Sequence, residues 1–428
     1  MRRMKGSGVE WIGDIPEDWD IIPTKFLFDI ISGATPKSDN PDYFDGDIPW
    51  ITPADFKTED KYVVRGKRNL TEKGLNACSA SLVPPKSIIF SKRAPIGLVA
   101  ISKNELSTNQ GCLACVPKKE IDVFYFYYLM SACKEHYEIL GAGTTFKEIS
   151  ASVFARYALL TPNCDEQRAI VCFLDNSITR INALISNNES QIERLKQYKQ
   201  SLITETVTRG LDQDAPMKDS GVEWVAAMPA HWKSARIKDV IFPKEKPVQE
   251  TDEIITCFRD GEVTLRKMRR EDGFTLSDTE YGYHGVDSGD LVIHGMDAFA
   301  GAVGCSDSRG KTTPVVHVCD TAGNNRYYMY YLRFMAYGNI LMDLSNGVRQ
   351  RSSDYRNFAR LGVYGVVVPP VKEQDAIVSF LDEKCSKIDA VISLKQRKIE
   401  RLKQYRHSLI YECVTGKLDL RQGQQEVS

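Results

Sequence analysis

The side chains best suited to chemistry in this 428-residue chain sit in two polar loops. "GAGTTFKEIS" (Gly141–Ser150) offers Thr145 and Lys147, and "SNGVRQRSSD" (Ser345–Asp354) offers Arg349, Gln350 and Arg351. "VFAR" (Val153–Arg156) and "NFAR" (Asn357–Arg360) follow these loops and align Thr145 and Lys147 with Arg349 and Arg351. Three further groups have the same character. They are Lys92 and Arg93 in "SIIFSKRAPIGLVAI", Asn109 and Gln110 in "STNQG", and Arg266, Lys267 and Arg269 in "TLRKMRR". Lysine and arginine neutralise phosphates, while arginine, asparagine and glutamine reach base edges. That is recognition chemistry, and a solvated surface loop is the competing reading of the same residues.

Motifs for bond-making chemistry fall short. "NPDYF" (Asn40–Phe44) is close to the Asn-Pro-Pro-aromatic turn that holds a flipped adenine. Its third position is Asp42, and no glycine-rich cofactor loop follows a strand. Cys112 and Cys115 form a lone C-x2-C without the second ligand pair a zinc site needs, so apolar strand cysteines are expected. The six histidines form no H-x-x-x-H pair, and no G-x-x-x-x-G-K-[ST] loop is present. The chain is expected to be non-catalytic, with no metal.

The positioning elements are written twice. "IERLKQY" stands at Ile192–Tyr198 and again at Ile399–Tyr405. Extended outward, "DEQRAIVCFLDNSITRINALISNNESQIERLKQYKQSLITETVTRGLD" (Asp165–Asp212) matches Lys372–Asp419 without a gap, at an offset of 207. "MKGSGVEWIGDIPEDW" (Met4–Trp19) returns as "MKDSGVEWVAAMPAHW" (Met217–Trp232). The stretches between these copies diverge. The order is therefore head, variable segment, helix, and then the same again. The predicted domains are 1–164, a long helix over 165–212, 213–371, a second long helix over 372–420, and a tail over 421–428.

Each long segment carries an apolar stripe at alternating three- and four-residue steps. In the first copy it is Leu174, Ile178, Ile181, Ile185, Ile192, Leu195 and Leu202, interrupted at Asn188 and Lys199. In the second it is Leu381, Cys385, Ile388, Ile392, Ile399, Leu402 and Leu409, interrupted at Lys395 and Arg406. This is a coiled-coil seam. Within an internal duplication the simplest closed arrangement is a pseudo-two-fold, which pairs the two helices antiparallel. Asn163 stands three residues before Glu166, the spacing of a capping box, while Pro369–Pro370 opens the second helix. Gly210 and Gly416 suit left-handed helix ends.

The variable segments read as mixed α/β. "SIIFSKRAPIGLVAI" (Ser87–Ile101) and "IITCFRDGEVTLR" (Ile254–Arg266) are predicted hairpins, the second turning at Asp260–Gly261. "FYFYYLMSACKEHY" and "RYYMYYLRFMAYGNILMDL" are predicted amphipathic helices whose aromatics form core. The fold class is thus α+β: two globular mixed α/β domains, two long paired helices, and a pseudo-two-fold repeat.

Net charge is −1, too balanced for a generic basic coat on DNA. Eleven scattered cysteines and an N-terminus without an apolar export region point to reduced thiols in a cytoplasmic protein. No apolar run reaches the ~18 residues of a membrane span, so no membrane is expected.

The head "SGVEWIGDIPEDW", "GATPKSDNPDYFDGDIPWIT" (Gly33–Thr52), "STNQG", "GTTFKEIS", "EQRAIVCFLD" and the repeated helix resemble the specificity subunits of type I restriction-modification systems. The resemblance covers essentially the whole chain. It implies two target recognition domains, each reading one half of a split site on double-stranded DNA. It implies that the helices set the unread gap and dock two modification (methyltransferase) subunits. Those subunits would use S-adenosylmethionine, so this chain would bind no cofactor itself, and translocating restriction subunits would complete the complex. Lys244–Arg270 departs from the family's pattern. Two other classes compete with this reading: a stand-alone adenine methyltransferase, which must bind S-adenosylmethionine, and a protein scaffold, which must ignore DNA.

Overall fold

The computed structural model describes every residue except 1, 10, 11, 58, 59, 119, 142–146, 270–280, 342–356 and 421–428. The chain divides into two compact units, Met1–Asn187 with Arg397–Ser428, and Asn188–Gln396. Both are mixed α/β, and each takes part of its chain from both long helices.

The first unit is built on a five-stranded sheet. Its order is Phe28–Ser32, Cys112–Pro117, Ile88–Ser91, Val99–Ser102 and Tyr62–Val63. All neighbours are antiparallel except the last pair. The predicted hairpin is the pair Ile88–Ser91 and Val99–Ser102, with Gly97 at φ +81° in its turn. Ile89, Ala100, Cys112 and Ala114 share a buried apolar cluster. The aromatic helix Val123–Ala132 starts where Asp122 accepts hydrogen bonds from the Phe124 and Tyr125 amides. Tyr125 and Phe126 are fully buried, so these rings build core.

The second unit has a four-stranded antiparallel sheet in the order Ile241–Pro243, Val316–Thr321, Leu291–His294, Val303–Cys305. The "IITCFRDGEVTLR" hairpin forms from Ile255–Cys257 and Val263–Leu265, with Gly261 at φ +87°. Helix Asn325–Tyr337 buries Tyr327, Tyr328 and Tyr331 in one cluster with Ile203, Val207, Trp232 and Leu381.

The long helices span Cys164–Arg209 and Val371–Val414. Sequence spacing predicts ends at 212 and 420. Left-handed Gly210 (φ +78°) and Gly416 (φ +71°) stop both helices sooner. At the first entrance the Asn163 side chain accepts from the Glu166 amide at 2.9 Å. The Glu166 carboxylate does not complete a capping box. It accepts from Trp19 Nε1 at 2.9 Å and pairs with Arg2.

The predicted stripe faces inward. In the first unit Leu174, Ile181, Ile185, Ile399 and Leu409 are buried, and Ile178 and Leu402 are half-buried. In the second unit Ile192, Leu381, Cys385, Ile388 and Ile392 are buried, with Leu195 and Leu202 half-buried. Three of the polar interruptions find partners on the other helix. Lys199 Nζ lies 2.6 Å from Asp389 and Lys395 meets Gln191, both in the second unit. Residue numbers fall on one helix as they rise on the other, so the two run in opposite directions there. In the first unit Arg406 Nη1 donates to Asn182 Oδ1 at 2.6 Å. Shifting each residue by the 207-residue repeat converts Lys199–Asp389 into Arg406–Asn182.

The joints between helix and globular part recur in the same way. Gln167 accepts from the Asp122 amide at 2.8 Å and donates to the Pro162 carbonyl. Gln374 does the same for Asn324 and Pro369. The buried Tyr125 hydroxyl lies 3.2 Å from the carbonyls of Leu160 and Val414. The Tyr327 hydroxyl lies 2.9 Å from Val367 O and 3.2 Å from Val207 O. Among the described residues, no helix is long and apolar enough to cross a membrane.

Candidate nucleic-acid interface

In the first unit four loops meet at one end of the sheet. Lys92 and Arg93 leave strand Ile88–Ser91. The Lys92 amide donates to Gly111 O, and Lys92 O accepts from the Ile149 amide, both at 2.9 Å. Asn109 is held by its amide on Ile51 O, and its side chain accepts from the Gly111 amide at 2.9 Å. Gln110 is exposed and accepts a hydrogen bond from Thr35. Lys147 is exposed beside Glu148. The fold thus brings Lys92, Arg93, Asn109, Gln110 and Lys147 together. Thr145 lies outside the described residues.

Sequence reading missed Glu148. Its two carboxylate oxygens lie 2.8 Å from Lys92 Nζ and 2.8 Å from Arg93 Nε. Burial pulls the Glu148 carboxyl up, but the hydrogen bonds and charges of Lys92 and Arg93 outweigh it and hold it below its ordinary range. No local signal pointed to this partner, because a single bridge between Arg93 and Glu148 brings it in from 55 residues away.

The second unit gathers Arg266, Lys267 and Arg269 where strand Val263–Leu265 passes into a short 3-10 turn. Arg266 Nε donates to Thr256 Oγ1 across the hairpin at 3.1 Å. Lys267 is 2.5 Å from Glu253. Arg269 is 2.5 Å from Asp260 and 2.9 Å from Glu262, and its guanidinium stands 4.1 Å from the centre of the Phe258 ring. A second network lies alongside. Arg309 joins Asp252 at 3.0 Å to Asp287 at 2.5 Å, and Lys246 joins Asp287 at 2.7 Å to Asp290 at 2.6 Å. Arg349, Gln350 and Arg351 lie outside the described residues.

The motifs weighed for catalysis serve structure. Asn40 Oδ1 accepts from the Asp42 amide at 3.1 Å, so "NPDYF" closes its own turn. Cys112 and Cys115 are three apart on one strand and therefore point to opposite faces of the sheet. Burial pushes both thiols up, and pushes Cys133 and Cys257 up to about 12, away from thiolate reactivity.

The chain is similar to several known proteins. Residues 16–194 match the type I restriction modification DNA specificity domain. The MjaIX specificity subunit of Methanocaldococcus jannaschii is 38% identical over 188 residues, which is 43% of each chain. The HindI specificity subunit of Haemophilus influenzae is 26% identical over 44% of this chain and 41% of its own. This chain thus aligns with less than half the length of these two relatives. The MjaVIII specificity subunit of M. jannaschii is 18% identical over 94% of both chains. Among solved structures, a chain from a study of assembly and conformational transition of the type I R-M system superposes with a TM-score of 0.69. It is 13% identical, over 94% of this chain and 99% of that one. The HsdS subunit from Thermoanaerobacter tengcongensis gives 0.52 at 14% identity, over 94% and 98%. At such identities the structures speak for the fold alone. Residues 16–194 thus match a type I restriction modification DNA specificity domain, and the chain is similar to specificity subunits of type I restriction enzymes.

Proposed function

We propose that this chain selects the DNA sequence on which a type I restriction-modification complex acts, and that it catalyses nothing itself. Each unit's globular part reads one half of a bipartite duplex site. The long helices pair as an antiparallel coiled coil, act as the spacer that sets the unread gap, and dock two modification subunits. Those subunits carry S-adenosylmethionine, and restriction subunits complete the assembly. Base contacts come from the loops with Lys92, Arg93, Asn109, Gln110, Thr145 and Lys147 in one unit. In the other they come from Arg266, Lys267, Arg269, Arg349, Gln350 and Arg351.

One observation carries the reading. The helix contacts and the tyrosine and glutamine joints recur at repeat-related positions in both units. The polar loops above them differ completely. A constant frame with two unlike reading surfaces supports an asymmetric split site. Readers on one face of the duplex repeat every ~34–36 Å, so one helical turn between half-sites is the natural spacing.

Selection from randomised duplex DNA tests it, using the chain co-expressed with its modification subunit. Two short fixed blocks around an unread gap are expected, with binding that weakens steeply as salt rises. Arg349→Ala and Arg351→Ala should relax one half-site only. One heptad inserted into a single helix should disrupt pairing or alter the gap. Salt-insensitive or sequence-blind binding would overturn the proposal in favour of a protein scaffold.

A further inference from the structure

Building on the DNA-recognition reading, we infer that Glu148 is a specificity-determining counter-ion. It keeps Lys92 and Arg93 neutralised until contacts at the matching sequence replace it. An unpaired surface cation attracts any phosphate, and that sequence-blind term competes with specific binding at every other site on the DNA. In this chain Lys92 and Arg93 are already paired. Glu148 offers a separate oxygen to each of Lys92 and Arg93, both at 2.8 Å. It cannot drift, because the Arg93–Glu148 bridge and the Ile149 amide on Lys92 O tie its backbone to theirs. The Arg93 and Glu148 side chains remain 43% and 31% exposed, within reach of a ligand, while Lys92 is 12% exposed beneath them.

The second unit repeats the device with unrelated residues. Glu253 pairs with Lys267, and Asp260 and Glu262 pair with Arg269. Two independent faces thus share the same internal neutralisation, in keeping with a chain whose net charge is −1. A carboxylate also accepts from the cytosine amino group, so Glu148 can join base readout once its cations turn to phosphate.

The test compares wild type with Glu148→Gln in the full chain, on the duplex recovered by selection and on a scrambled duplex of equal length. The charge is removed and the side-chain volume is kept. Scrambled-duplex affinity should rise, and the ratio of specific to scrambled affinity should fall. Each freed cation that meets a phosphate steepens the salt slope by about 0.9, so the loss between 50 and 200 mM salt grows by a further ~3.5-fold for one and ~12-fold for two. Glu253→Gln is the second variant, at a pair whose side chains are each 50% exposed, so folding does not depend on it. It should give the ~3.5-fold change. Weaker binding to both duplexes with an unchanged slope would make Glu148 a structural strut and overturn the inference. A wild type that selects its site while neither variant alters scrambled binding would sink the counter-ion alone. A wild type with no salt-dependent duplex binding would sink the recognition reading and this inference with it.

Discussion

Replacing Tyr327 by phenylalanine removes one hydroxyl and keeps the ring, so no cavity opens. That hydroxyl is fully buried, 2.9 Å from Val367 O and 3.2 Å from Val207 O. Val207 lies in the last turn of its helix, where carbonyls have no intrahelical donor. The variant therefore loses a hydrogen bond and leaves a buried carbonyl dry, which costs about 1–3 kcal/mol. With a urea slope of about 2 kcal/mol/M, the midpoint should fall by roughly 0.5–1.5 M. Tyr125→Phe is a built-in replicate, since Tyr125 meets Val414 O and Leu160 O in the other unit. Far-ultraviolet circular dichroism of the full chain in urea would measure both. The two losses should add in the double variant, because the sites share no partner. A midpoint shift under about 0.2 M in both single variants would show that the hydroxyls do not cap the helices.

Three further outcomes can be measured on the same chain. Gly416→Ala puts a side chain at φ +71° and a Cβ 2.5 Å from Pro16, so it should cost at least the ~1–2 kcal/mol of the left-handed conformation. An unchanged urea midpoint would contradict that. Lys199→Ala breaks a pair whose partner Asp389 is 55% exposed, so only about 0.2–1 kcal/mol is at stake, and the effect should shrink in high salt. Acid should destabilise the second unit in a defined window. Hydrogen bonds from Lys246 and Arg309 hold Asp287 below the ordinary carboxylate range, and Arg309 does the same for Asp252. A depressed folded pKa contributes stability above about pH 4 that is lost as pH falls through the lower folded value. Arg309→Ala should flatten that loss below about pH 4, and an unaltered acid profile would count against the network.

Much of the frame was readable from periodicity and self-similarity. The long helices, the two hairpins and the buried aromatics on Val123–Ala132 and Asn325–Tyr337 all follow from local pattern. The glycine stops at Gly210 and Gly416 were legible too, although the segment bounds drawn at 212 and 420 run a few residues past the helices. Sheet order was not readable. The parallel pairing of Tyr62–Val63 with Val99–Ser102 is a long-range choice that alternation does not encode. The carboxylates beside the candidate cations were missed for the same reason. Glu148 looks like one more polar residue in a loop until strand register sets it against Lys92 and Arg93. Glu166 was read as a helix cap, yet Trp19 and Arg2, distant in sequence, claim its carboxylate.

The tyrosine joints have an evolutionary consequence. Tyr125 and Tyr327 grip main-chain carbonyls, which every residue type supplies alike. Gln167 and Gln374 likewise seize a backbone amide and a proline carbonyl. Such a socket does not inspect the side chains of whatever plugs into it. A foreign globular segment still has to supply a tyrosine hydroxyl, a free amide and an apolar face for Ile203, Val207 and Leu381. Segments that keep this short set of contacts can be exchanged while the helices stay unchanged.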